Sequence, residues 1–161
     1  MIIFGYQFFK NMQTKHSFIV LLLTLNSAFS QESKYDENLA KSLNADERGM
    51  KSYVFCILKT GTNTTATDKE RFEFFKGHMD NIMRLADEGK LVTAGPFGKN
   101  DKNYRGIFIF NVATVEEAKV LVESDPAVKA KIFDYELTPW YASAALMKVN
   151  EIHKTIAKPK P

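Results

Sequence analysis

The sequence predicts an α+β fold of the order βαββαβ, a ferredoxin-like sandwich, and three observations predict it. Two continuous apolar runs of strand length stand out, residues 53–58 and 107–112. Two capping boxes, Thr67-Asp68-Lys69-Glu70 and Thr114-Val115-Glu116-Glu117, each open a helical stretch. The pieces then fall in the order strand, helix, strand, strand, helix, strand, an arrangement whose first and third strands are central. Those two strands are the continuous apolar runs.

Each element has its own warrant. The first strand, Tyr53-Val54-Phe55-Cys56-Ile57-Leu58, is stopped by Thr60-Gly61-Thr62-Asn63. The first helix starts at the Thr67 box and runs to about Glu88, with Gly89 as its C-terminal stop. Residues 91–97 form a short second strand that closes in Gly95-Pro96-Phe97-Gly98. The polar turn at 99–103 leads into the third strand, Ile107-Phe108-Ile109-Phe110-Asn111-Val112. The second helix opens at Thr114 and runs to about Ser124. Asp125-Pro126 then restarts a short turn, because Asp caps and Pro fits the first helical position. Phe133-Asp134-Tyr135-Glu136-Leu137 alternates apolar and polar, the pattern of a half-buried edge strand. Two helices cover one face of the sheet. Central strands that are apolar on both faces need a second cover, and another copy of the same sheet supplies it, so a homodimer is expected. The competing cover is residues 31–49 or 141–150 folded over the open face.

Composition excludes several classes. The 161 residues are 45% hydrophobic and 25% charged, the balance of one folded domain. A net charge of +3 is too small and too evenly spread for a nucleic-acid binder. With one cysteine, Cys56, no intrachain disulfide forms, and Cys56 in its apolar strand reads as a small buried hydrophobe. His16, His78 and His153 have no metal-ligand spacing, so no metal site and no cofactor are expected. Residues 1–30 carry Lys10 and Lys15, an apolar run at 18–25 and Ala28-Phe29-Ser30, the build of a secretory signal peptide. Met12 is an alternative start. Removing Lys10 and Lys15 from the 22 basic residues leaves 20 against 19 acidic ones. A secreted, periplasmic, nearly neutral protein without a membrane anchor is therefore expected. Residues 31–49 read as a polar linker or arm, residues 50–148 as the domain, and residues 149–161, ending Lys158-Pro159-Lys160-Pro161, as a solvated tail.

On a wheel of the first helix, Phe72, Phe75, Met79, Ile82 and Ala86 share an arc expected to face the sheet. Arg71 and His78 break the pattern on that apolar side, and Asn81 follows one turn past His78. A buried polar side chain without a partner costs about 1–3 kcal/mol, so these residues are either paired or line a wet cavity. A histidine in a pocket is a natural general base or acid near neutral pH. A histidine bonded to a backbone carbonyl in the core, with Arg71 reaching outward, is the blander alternative. Asp125 is a candidate partner for His78, although an Asp before a Pro is commonly just a cap. Phe97, Arg105, Trp140 and Tyr141 lie at strand ends, where rim residues sit.

These residues carry a resemblance. Gly77-His78, Asn81-Ile82, Leu85, Gly89 and Leu91 are followed by Ala94-Gly95-Pro96-Phe97, Gly106, Glu117-Ala118, Asp125-Pro126 and Pro139-Trp140. In order and spacing, over about residues 51–141, the chain resembles the YCII-related (YciI-like) family of dimeric α/β-barrel proteins. The resemblance implies a catalytic His78–Asp125 pair in a cleft between sheet and helix near a dimer interface. It also implies proton-transfer chemistry on small cyclic substrates without a metal, since relatives include a dehydrochlorinase and the wider barrel superfamily includes a lactone isomerase. The expectation is a cofactor-independent lyase or isomerase acting on a small cyclic or carbonyl substrate. His78 and Asp125 would be catalytic. Arg71, Asn81, Phe97, Arg105 and Trp140 would bind substrate, with Arg71 ahead of Arg105 as the anchor for an anionic group. The alternative is a non-catalytic periplasmic protein, either a small-ligand binder or a structural dimer.

Overall fold

The structure, a computed structural model, describes residues 34–158. The expected leader at 1–30, with Met12, lies outside the described residues, as do residues 159–161. The compact unit that holds the sheet begins at Glu37. Its elements in chain order are α1 (Glu37–Ser42), β1 (Met50–Thr60), α2 (Asp68–Asp87), β2 (Leu91–Pro96), β3 (Tyr104–Phe110), α3 (Val115–Glu123), α4 (Pro126–Lys129), β4 (Phe133–Ser143), a 3₁₀ turn (Ala144–Lys148) and α5 (Val149–Ile156). The four strands form one antiparallel sheet of order β2-β3-β1-β4. The two continuous apolar runs are thus the central strands, and the fold is the α+β sandwich that the pattern predicts.

Local chemistry sets the helix starts. Both capping boxes form: Thr67 and Thr114 each accept from the backbone N–H three residues on, and Glu70 and Glu117 reach back. Such a cap is worth about 1 kcal/mol. Alternate residues of β1 serve the two faces. Val54, Cys56 and Leu58 join Phe108 and Phe110 of β3 under Leu85, Val122 and Val128 from the helices, and this is the main core. On the other face Tyr53, Val92, Ile109 and Ala142 form a smaller cluster closed by Phe55, Leu146 and Met147. The 3₁₀ turn therefore covers part of the face expected to be open.

Three expectations need correction. β4 does not stop at Leu137 but runs through Ser143, paired with β1 throughout. Pro139 is tolerated because β4 is an edge strand, where a missing N–H breaks no ladder. Trp140 and Tyr141 accordingly lie within a strand rather than at its end. Residues 149–156, expected as a solvated tail, form helix α5, which is mostly exposed but held at its start by an Asn150 Nδ2–H bond to the Leu91 carbonyl, 2.7 Å. The arm at 31–49 contains the single-turn helix α1.

The third correction sits on α2. The side turned to the core carries His78, Asn81 and Leu85. Phe72, Phe75 and Met79, from the arc expected to face the sheet, are 68%, 43% and 53% exposed. The apolar arc is wider than the sheet contact. One flank enters the core, and the other forms the wall of a cleft.

Candidate active site

Gly77 sets the position of His78. A side-chain carbon at Gly77 would lie 2.8 Å from Pro126 Cγ, so its absence lets α2 press against the start of α4. That contact brings His78 to Asp125, which is fully buried at the N-cap of α4. His78 Nδ1 lies 2.7 Å from Asp125 Oδ2, and Asp125 Oδ1 accepts from the Ala127 N–H at 2.9 Å. A carboxylate only accepts, so the neutral imidazole carries its proton on Nδ1 and presents the Nε2 lone pair elsewhere. Among the described residues Nε2 has no hydrogen-bond partner. The ring itself is fixed by aromatic neighbours: it stacks on Phe108 with centroids 5.8 Å apart and meets the edges of Phe133 at 5.2 Å and Phe75 at 6.5 Å.

His78 opens onto a cleft of about 420 Å³ between α2 and the sheet. Phe75, Met79 and Ile82 line it from α2, Leu58 from β1, Ala94, Gly95 and Pro96 from β2, Arg105 to Phe108 from β3, and Phe133 from β4. Gly106 keeps the β2–β3 wall thin, since a side-chain carbon there would sit 2.8 Å from the Gly95 carbonyl oxygen. Among the described residues Arg105 is the only charged one lining the cleft besides the titratable His78. Its Nε donates to Thr60 Oγ1 at 2.7 Å, and its terminal nitrogens have no partner among the described residues. Cys56, on the core face of β1, takes no part: burial, and then the Asp125 carboxylate, push its thiol up to about 12. Among the described residues no group of three or more His, Cys, Asp or Glu side chains could hold a metal ion.

The model of the YCII-related domain matches residues 53–141, which takes in most of this sheet, α2 to α4 and the His78–Asp125 pair together. The chain belongs to the YCII-related family. It is 31% identical over 74 residues to the protein YciI of Escherichia coli O6:H1 and, equally, to that of Shigella flexneri; the match takes in 42% of this chain and 76% of each relative. It is also similar, at 23% identity, to a solved structure of 5-chloro-2-hydroxyhydroquinone dehydrochlorinase from Burkholderia phenoliruptrix AC1100 in complex with 2,5-dihydroxybenzoquinone. That match has a TM-score of 0.40 over 54% of this chain and 92% of that one.

Within this YCII-related domain the residues expected around the pair divide. Arg105 lines the cleft. Arg71 does not. Its Nε and Nη2 donate to the carbonyls of Ala66 and Asn63, at 3.1 and 3.3 Å, and tie down the loop before α2. Asn81 is also outside the cleft: its Oδ1 accepts from Arg84 Nη2 at 2.7 Å and from Ser124 Oγ at 3.1 Å, which fastens α2 to the end of α3. Its buried Nδ2 has no partner among the described residues. Phe97 lies beyond β2, 43% exposed against Tyr104, while its neighbour Pro96 lines the cleft. Trp140 packs on Tyr53 and Phe55, which belong to the second face. The cleft residues that sequence reasoning missed as such are Phe75, Met79, Phe108 and Phe133. Their signal was present as apolar content, but nothing in a periodicity separates a core residue from a cleft wall.

Proposed function

We propose that this protein is a proton-transfer enzyme, a lyase or isomerase that needs no cofactor, acting on a small cyclic or carbonyl compound. The observation that carries the reading is the 2.7 Å His78 Nδ1···Asp125 Oδ2 contact at the wall of an apolar cleft. His78 Nε2 takes the proton from a phenol or from carbon beside a carbonyl, and Asp125 stabilises the imidazolium that forms. The same imidazolium then returns the proton, to another carbon in an isomerisation. In an elimination the halide departs with the electron pair of its bond to carbon, and HX is lost overall. Arg105, not Arg71, anchors an anionic oxygen at the cleft wall, because its terminal N–H groups are free to do so. The chemistry on small cyclic substrates that the family resemblance implies supports this choice of substrate. The protein works as a homodimer after export to the periplasm, the destination that the leader at 1–30 suggests.

The test is a panel of chlorinated hydroxyquinols and enolisable lactones, with chloride release and solvent deuterium uptake as readouts. His78→Ala should lower the rate on any true substrate by about 10²–10⁴-fold. Asp125→Asn should move the Nδ1 proton, visible in the imidazole ¹⁵N shifts. A turnover that survives His78→Ala rules the reading out. A ligand that binds and is recovered unchanged, with no deuterium incorporated, favours the non-catalytic binding protein instead.

A further inference from the structure

The cleft does not end at α2. A second space of about 450 Å³ lies between α2, β2 and α5, and it shares Met79, Ile82 and Ala94 with the cleft at His78. Beyond those shared residues it is walled by Met83 and Ala86 of α2, Leu91 of β2 and Val149 of α5. Thr93, His153 and the pair Lys154–Asp87, whose Nζ and Oδ1 lie 3.2 Å apart, add its polar lining, and that pair's two charges offset one another. Asn150 is occupied as well, by the Leu91 carbonyl. An anionic group entering here would find no free counter-charge from Lys154, and an apolar group would meet Met79 and Met83, 53% and 48% exposed. Flexible thioethers suit a chain of variable shape.

We propose that cleft and groove are one binding site, with the reactive head at His78 and an uncharged alkyl chain in the groove under α5. The substrate class is thus an amphiphile: a phenol, enolisable ring or carbonyl compound that carries a linear hydrocarbon tail. This rests on the reading of His78 as the reactive end. It assigns to α5, outside the region matched by the family model, the task of walling the tail.

The probes are 4-ethyl-, 4-butyl- and 4-hexylphenol, titrated calorimetrically into the full-length protein and followed by the methyl NMR signals of Met79 and Met83. Each added methylene should tighten the Kd by about fourfold while the chain stays in the groove, or roughly 250-fold from ethyl to hexyl. The Met83 methyl should shift with the hexyl probe and stay still with the ethyl one. Met83→Trp, at an exposed position, should collapse that ratio to less than about tenfold. Ala86→Phe, which fills the groove from its floor, should do the same. Equal affinities along the series, a silent Met83 methyl, or no binding of any probe would overturn the proposal. So would a wild-type oligomer that Met83→Trp dissociates, because the groove would then belong to a second copy of the chain. His78→Ala should keep the chain-length ratio. A ratio that persists while deuterium uptake is absent removes the proton-transfer reading and keeps the groove; uptake with a flat ratio does the reverse.

Discussion

Asp125 shows how far a single residue can be read. Its sequence context gives a cap, and it does cap α4 through the Ala127 N–H. Its second oxygen holds His78, and its charge adds to the burial that keeps Cys56 protonated. The cap was legible because it is local. The pairing with His78 was legible only through the family resemblance, because 47 residues separate the two and only the packing of α2 on α4 joins them. Another long-range pair, Asp46 with Tyr141, makes a prediction. The Tyr141 hydroxyl donates to Asp46 Oδ2, and the Met50 and Arg48 N–H groups donate to Oδ1. The Tyr141 bond first, then that from Met50, holds the Asp46 carboxyl below its ordinary 3.8. A depressed carboxyl contributes stability above its unfolded value and loses it as pH falls through its folded value. The hold of the arm on β4 should therefore persist at neutral pH and fail only in acid below about 3.8. Tyr141→Phe should raise the Asp46 titration midpoint toward 3.8 in a carboxylate NMR titration. A midpoint unmoved by the substitution would show that the hydroxyl is not what lowers it.

At the scale of elements the boundaries that have chemical punctuation were legible: both capping boxes, the Gly89 stop and the Pro126 restart. The rotation of α2 about its own axis was not. Its apolar arc is wide enough to serve the sheet or the cleft, and the contact that chooses is Gly77 against Pro126, a fact of packing rather than of period. This makes Gly77→Ala informative. In an ordinary helix interior the change stabilises by about 0.5–1 kcal/mol. Here the added carbon would lie 2.8 Å from Cγ and 3.1 Å from Cβ of a proline ring that cannot rotate away. Forcing a methyl group into such a contact costs about 1–3 kcal/mol, so the overpacking term should win. Denaturant unfolding should give a lower midpoint for Gly77→Ala than for wild type. The His78 Nδ1 proton should also exchange faster with solvent, since the helix must retreat from Asp125. A stabilised variant with an unchanged His78 signal would mean that the helices part without disturbing the pair, and that Gly77 is not the positioning residue.

For the whole molecule the remaining question is the second face of the sheet. The argument that two helices cannot cover both faces survives only in part, because Leu146 and Met147 of the 3₁₀ turn close one end over Tyr53, Val92 and Ile109. The competing cover at 141–150 thus holds for part of the face, where Leu146 and Met147 suffice. Toward the other end Ile57 stays half-buried between its sheet partners Ile107 and Glu136, and even beside Tyr53 the side chain of Trp140 leaves that residue 38% exposed. A second copy of this face is the cover expected. Ile57→Lys discriminates well, because Glu136 lies directly opposite on β4, and its carboxylate, held through Oε1 by Lys59 at 2.6 Å, can offer Oε2 to the new ammonium in a monomer. Folding should therefore tolerate the change at the edge of the measurable, as surface substitutions near a compensating charge do. A dimer that stacks these faces should not, since it would bury two such charges against apolar neighbours. Sedimentation velocity should find wild type at twice the chain mass and Ile57→Lys at the chain mass, with the same melting transition by circular dichroism in the dilute limit. Wild type at the chain mass at every concentration would mean that the 3₁₀ turn and α5 are cover enough. The cleft and its groove would then be complete within one chain.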